Sequence, residues 1–267
     1  MSFRILFLGD VVGKVGRRLL GAQVSILRES ENADLVVVNG ENSAGGLGID
    51  PACAGELFAA GVDVITTGNH IWGKKTICPY LDEHRQKIIR PHNYAAGAPG
   101  TGCTVWTSER GVRVAVINLM ARVFMGDLLD CPFQAFDTLL NGEAKDADLV
   151  FVDFHGEATS EKVAFGHFAD GRAQAVVGTH THVQTADERV LPGGTAYITD
   201  VGMCGPYHSV IGVSIEPIVE RFQTGRPTKF DTAKGDALLN GVLIEFDVAQ
   251  RRATAIRRLN EVFPAAG

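Results

Sequence analysis

The chain is poor in three things, each of which would have set its class. Cysteine is scarce: Cys53, Cys78, Cys103, Cys131 and Cys204 are scattered, odd in number and form no C-x-x-C pair. That excludes a disulfide framework or a zinc ribbon and leaves small buried apolar residues as the reading. Long hydrophobic runs are absent, so no segment reaches membrane-spanning length. The apolar stretch Ile5–Leu8, interrupted by Asp10, is too short for a signal peptide, and a reducing cytoplasm is the expected setting. Positive charge is not in excess: the net charge is −6 and the pI near 5.7. This argues against stable nucleic-acid binding or a membrane-surface role. An anionic substrate stays open, because bound metal ions invert the local field.

What remains is an ordinary globular composition, with 267 residues of which 45% are hydrophobic and 21% charged. No internal repeat or low-complexity tract divides it, and residues 1–267 read as a single domain. Phe3–Leu8 reads as a buried strand, and Val15–Ser30 has helical spacing with Leu19, Leu20, Val24 and Leu27 on one side. Leu35–Asn39 is a second strand. Ser43–Gly48 is a Gly-rich loop, Asp50-Pro51 signals a helix over Ala52–Ala60 ended by Gly61, and Val62–Thr66 is a third strand. This alternation favours parallel βαβ units.

From Lys87 the pattern changes. Ile88–Arg90, Cys103–Ser108 and Val112–Asn118 are strand-like, the last two forming a hairpin around Glu109-Arg110-Gly111. Helices are expected over Phe133–Lys145 and Ser160–Phe168. Strands are expected at Leu149–Asp153, Ala175–Val177, Arg189–Leu191 and Ala196–Thr199, with a terminal pair at Gly241–Asp247 and Thr254–Leu259. Parallel units followed by antiparallel pieces predict either one mixed sheet or two sheets stacked between helices. Ser214–Asp236 reads as a loop suited to mobility or subunit contacts.

The most informative feature is a set of metal-type ligands at the ends of apolar runs. Asp10 follows FRILFLG, Glu41 and Asn42 follow LVVVNG, Asn69 and His70 follow VDVITTG, His155 follows LVFVDF, and His180 and His182 follow AQAVVGT. Open α/β sheets build ligand sites at the carboxyl ends of their strands. Eight such side chains are about twice what one tetrahedral ion needs, so two adjacent ions fit better, and paired ions serve phosphate-ester or amide chemistry. Taken singly the signals differ. Asp10 reads equally as a ligand or a helix cap, and His70 alone reads as a structural histidine. His180-Thr181-His182 is the strongest, because residues two apart in extended chain point the same way. Other sites fail on spacing. Gly9–Val15 is one residue short of a P-loop and has Val15 where the hydroxyl belongs. No G-x-G-x-x-G, G-x-S-x-G or H-E-x-x-H is present.

In order, GDVVGKVGR, VVNGENSAGG, TTGNHIW, DFHGEATSEK, GTHTHVQTAD and TDVGMCGPYHSVIG resemble the calcineurin-like metallophosphoesterases, and more closely their YmdB-like branch, over nearly the whole chain. The resemblance implies an α/β fold, a metallophosphoesterase-type sandwich of two mixed β-sheets flanked by helices. It implies one ion held by Asp10, Glu41, Asn42 and His182, another held by Glu41, Asn69, His155 and His180, with Glu41 bridging. His70 is left as proton donor. His208 stands where the branch is expected to have Asp.

The implied activity is phosphodiester hydrolysis of a cyclic nucleotide, 2′,3′-cyclic AMP for preference, by a metal-bridging hydroxide. The alternatives are a phosphomonoesterase or nucleotidase, and a nucleotide-sensing regulatory protein with incidental turnover. The thiolate-free donor set suits iron, manganese or zinc, and the resemblance favours iron with manganese as activator. Arg122, in the loop Ala121–Met125, is either a substrate contact or a surface arginine. Lys14 reads better as solvated than as a phosphate contact. A homo-oligomer is compatible with the chain on general grounds.

Overall fold

The computed structural model describes residues 2–265. In chain order its strands and helices are β1 (Ser2–Leu8), β2 (Asp10–Val11), α1 (Gly13–Ser30), β3 (Leu35–Asn39), α2 (Pro51–Ala59), β4 (Val64–Thr66) and α3 (Ile77–Glu83). Then come β5 (Cys103–Thr107), β6 (Arg113–Met120), α4 (Pro132–Asn141), β7 (Leu149–His155), α5 (Thr159–Ala169), β8 (Ala175–Thr179), β9 (Arg189–Val190) and β10 (Ala196–Ile198). The last are β11 (Met203–Pro206), α6 (Ile215–Thr224), β12 (Ala237–Asp247) and β13 (Arg252–Phe263).

Two mixed sheets form. The first has seven strands in the order β2-β11-β12-β1-β3-β4, with β13 on the other edge of β12. The second has six, in the order β5-β6-β7-β8-β10-β9. The sandwich is read directly from alternation in β1. Phe3, Ile5 and Phe7 face the second sheet and pack with Val114, Val116, Phe151 and Val177. Leu6 and Leu8 point the other way, onto Leu20 and Val24 of α1 and Leu57 of α2. Successive strand side chains alternate faces, so a strand of nearly continuous apolar residues demands cover on both sides. The second sheet is covered by α4 and α5 through Phe136, Leu139 and Phe165, with Phe165 stacked on Phe154 at 4.2 Å between ring centroids. The layers are thus helix, sheet, sheet, helix.

The expected α2 cap is present: Asp50 accepts from the Cys53 amide at 2.8 Å, with Pro51 at the first helical position. Three expectations are corrected. Ser214–Asp236 is not all loop, because α6 occupies Ile215–Thr224. Ile88–Arg90 forms no strand; Ile88 makes only an isolated bridge to Ile65. The first helix starts earlier than expected, at Gly13 rather than Val15, and just before it β2 pairs with β11. No helix among the described residues is long and apolar enough to cross a membrane. Of the free cysteines, Cys53, Cys103 and Cys204 are buried, and Cys78 and Cys131 half-buried.

Candidate functional site

The candidate ligands meet where the carboxyl ends of both sheets come together. Asp10 opens β2; Glu41 and Asn42 follow β3; Asn69 and His70 follow β4. His155 closes β7, and His180 and His182 follow β8. Asp10, Glu41 and His155 are fully buried, and Asn42 nearly so. Asp10 caps nothing: the α1 cap position is Val12, and no side chain caps that helix.

The three histidines of the β7 and β8 ends share one logic. His155 Nδ1 lies 2.9 Å from Thr179 Oγ1, whose own hydrogen goes to Asp153 Oδ1 at 2.7 Å. The imidazole must therefore donate from Nδ1, so Nε2 faces inward and offers a lone pair whenever the ring is neutral. His182 Nδ1 donates to the Ile211 carbonyl at 2.9 Å, and its Nε2 also faces inward. His180 is turned over: Nε2 pairs with Glu157 Oε2 at 3.1 Å, and Nδ1 faces His155 Nε2 at 3.1 Å. An outer N–H anchored to an acceptor with the other nitrogen bare is the arrangement of metal-ligating histidines.

The acids and amides complete the cluster. Around His155 Nε2 lie Asn69 Oδ1 at 2.9 Å, His180 Nδ1 at 3.1 Å and Glu41 Oε1 at 3.2 Å. One nitrogen cannot satisfy three such atoms through one proton. Across the site, His182 Nε2 is 3.2 Å from Asn42 Nδ2 and 3.7 Å from Asp10 Oδ1. That Asp10 oxygen is buried without any hydrogen-bond partner, a costly state for a carboxylate unless a cation meets it. Glu41, His155 and His180 each offer a ligand atom, all within 4.8 Å of one another. Gly68 keeps the space open: a Cβ there would lie 2.3 Å from His155 Nε2 and 2.5 Å from Glu41 Oε2. The donors and the gap both fit metal ions.

Protonation tells the same story. Burial pushes Asp10 up to about 7. Burial also acts against Glu41, but His155 and His70 outweigh it and hold the carboxyl at about 2. Burial would lower His155, yet Glu41, then Asp10 and Asp153, raise it to about 9. Burial, then the charge on His155, drop His180 to about 3. In the protein alone, one proton on His155 stands where the buried carboxylates call for positive charge. A cation would take its place.

His70 stands apart. Its amide donates to Glu41 Oε2 at 3.0 Å, its Nδ1 lies 2.8 Å from Asn42 Oδ1, and about a third of its side chain is exposed. Burial lowers its pKa against the pull of Glu41. Arg122 is not brought into the cluster; it is exposed, and its backbone amide is held by Glu161 at 3.0 Å. Lys14 is exposed at the start of α1. His208 is exposed and 3.9 Å from Asp236.

The chain belongs to the YmdB-like family. The family model, described as "YmdB-like protein", matches residues 6–259. The chain is 47% identical over 256 residues to a Bacillus subtilis (strain 168) protein named 2′,3′-cyclic-nucleotide 2′-phosphodiesterase, covering 96% of each. Among solved structures, a hypothetical protein from Thermus thermophilus superposes with a TM-score of 0.91 at 43% identity, covering 99% of this chain and 100% of that one. A structure from Mycoplasma pneumoniae titled a novel phosphatase has a TM-score of 0.91 at 38% identity, covering 98% and 94%.

Sequence reasoning missed the outer contacts. Glu157, two residues past His155, anchors His180. Asp153 ties the sheets beneath the cluster: it accepts from Asn39 of β3 at 3.1 Å, Thr66 of β4 at 2.5 Å and Thr179 of β8 at 2.7 Å. The HGE and VDFH strings held these residues, but only the fold shows what they meet.

Proposed function

We propose that this chain is a dinuclear-metal phosphodiesterase of cyclic nucleotides, acting on 2′,3′-cyclic AMP as its best single substrate. The observation that carries it is the histidine arrangement: three imidazoles, each with its outer N–H anchored, turn their bare nitrogens toward buried Glu41, Asn69 Oδ1 and the unpartnered Asp10 Oδ1. The name of the Bacillus subtilis relative supports the substrate class.

Asp10, Glu41, Asn42 and His182 would hold one ion, and Glu41, Asn69, His155 and His180 the other, with Glu41 shared. We favour iron, with manganese or zinc suited to the same donors. When bound, the ions supply Lewis acidity toward phosphate oxygens and lower the pKa of water toward neutrality. Ligands drawn from both sheets make residues 1–267 one working domain in this reading.

His70 is the proton donor to the departing ribose oxygen. Its partner Asn42 decides which ring nitrogen carries the proton. An amide oxygen opposite Nδ1 demands Nδ1–H; an amide nitrogen there demands a bare Nδ1 and leaves the neutral ring protonated at Nε2. The first arrangement also suits the imidazolium: its Nδ1–H stays on the Asn42 oxygen while Nε2–H leaves, restoring a neutral ring. The second frees the Asn42 oxygen for an ion. Burial, which lowers the His70 pKa, makes the imidazolium a stronger acid and a scarcer one as pH rises.

The test is elemental analysis of protein purified without a metal-affinity tag, with hydrolysis of 2′,3′-cyclic AMP and of a phosphomonoester assayed on the same sample. We expect about two ions per chain and diester turnover. His70→Ala should lose about 10²- to 10⁴-fold in rate and keep its metal; Glu41→Gln should lose both. Preference for the monoester would favour the nucleotidase reading, and tight nucleotide binding with negligible turnover a sensing role. A chain that takes up no iron or manganese would end the metal reading.

A further inference from the structure

Lys162 and Asp200 form a buried ion pair that takes no part in the chemistry proposed above. Lys162 Nζ lies 2.7 Å from Asp200 Oδ2, and the two residues are 1% and 0% exposed. Such groups are almost never buried unless paired, and taking both out of water costs several kcal/mol per ion before their attraction offsets it. The remaining hydrogen bonds of the pair all go to one place. Lys162 also donates to the Thr179 carbonyl at 2.8 Å. Asp200 accepts from the Thr181 amide at 3.0 Å and from the Gly202 amide at 2.8 Å. Thr179 and Thr181 flank His180, and the Gly202 carbonyl accepts from the Asp10 amide at 3.0 Å.

The turn they hold is one that the backbone resists. His180 and His182 have φ of 105° and 66°, a region that residues with a Cβ enter at a cost and keep only when their surroundings over-determine it. The backbone beside these turns is also tightly packed: a Cβ on Gly9, just before Asp10, would lie 1.9 Å from the Gly202 carbonyl oxygen, and one on Gly178, just before Thr179, would lie 1.8 Å from that of Thr199.

We propose that Lys162 and Asp200 are a positioning pair. Together they clamp the Thr179–His182 turn against the Asp200–Gly202 turn and set where His180 Nδ1, His182 Nε2 and Asp10 converge. Neither side chain touches substrate. The proposal rests on the metal reading of the cluster.

The test uses metal-stripped full-length protein titrated with Co²⁺ and followed by visible absorption, with wild type, Lys162→Met, Asp200→Asn and Glu41→Gln side by side. Wild type should bind, and Glu41→Gln should not. Folded Lys162→Met should bind Co²⁺ about 10- to 100-fold more weakly, with a cobalt spectrum altered even at saturation because His180 at one ion and His182 at the other are both displaced. Asp200→Asn, which keeps an oxygen for one amide, should fall between. Amide hydrogen exchange on metal-free wild type needs no variant: the Thr181 and Gly202 amides should be protected. Variants that fold and keep wild-type affinity and spectrum would overturn the proposal, as would free exchange at both amides. Wild type that takes no cobalt while both amides stay protected would overturn the metal reading and leave the clamp itself standing.

Discussion

At Gly68 an added methyl group would fill the candidate metal site. The φ of this glycine lies outside the left-handed region, so alanine meets no backbone objection there. The added Cβ would instead lie 2.3 Å from His155 Nε2. Gly68→Ala should therefore fold, lose bound metal, and fall by about 100-fold or more in turnover, as expected when outer contacts and ligands are displaced. Metal analysis of the purified variant checks this, and full occupancy at wild-type rate would refute it. At this scale the sequence was readable where chemistry and local pattern coincide. Glu41, His155, His180 and His182 stand at the ends of apolar runs, where a polar side chain needs a reason. Glu157, Thr179 and the Ile211 carbonyl were not readable, because each matters only through the histidine that tertiary structure brings to it. Lys162 was hidden for a different reason: in a helix like α5, a lysine reads as solvated until its neighbours are known.

Among elements, β1 carries the most weight. It lies between β3 and β12, and its odd-numbered residues build the interface between the sheets. Phe7 is fully buried with its ring 5.4 Å from that of Phe151. Phe7→Ala should cost about 3–5 kcal/mol of folding stability. Urea unfolding would show this as a lowered midpoint, and a loss below about 1 kcal/mol would contradict the packing described. The apolar strands and the capped helix α2 were legible from period and turn chemistry. Helices α3 and α6 were not, and both carry a proline, Pro79 and Pro217, that reads as a breaker. Each proline is the third residue of its helix. The first turn needs no intrahelical N–H bond, so proline does no harm there. Strand β11 is only four residues long, and it exists because β2 and β12 offer it edges that no local pattern announces.

For the whole molecule, the cluster is a seam. Asp10, Glu41 and Asn69 come from the first sheet's strand ends, and His155 and His180 from the second's. Ions held there would bind the folded state and not the unfolded chain, adding about 2.7 kcal/mol when free metal is 100-fold above its dissociation constant. Chelation should therefore lower the melting temperature, and readdition of manganese or iron should restore it; a melting temperature indifferent to both would argue against an inter-sheet metal site. Two sheets were one of two architectures that the local pattern left open, and the family resemblance chose between them. What local pattern could not decide was pairing across the chain, above all the return of the final hairpin to the first sheet.

That return has a consequence for synthesis. Strand β12 pairs antiparallel with β1 from Ser2 to Leu8, yet it is made after every strand that carries a candidate ligand. On the ribosome, β1 waits with one edge bare while the second sheet is completed, and Asp10 waits with it. Unpaired strand edges invite association between chains. The last hairpin is thus a closing clasp on the open edge of β1.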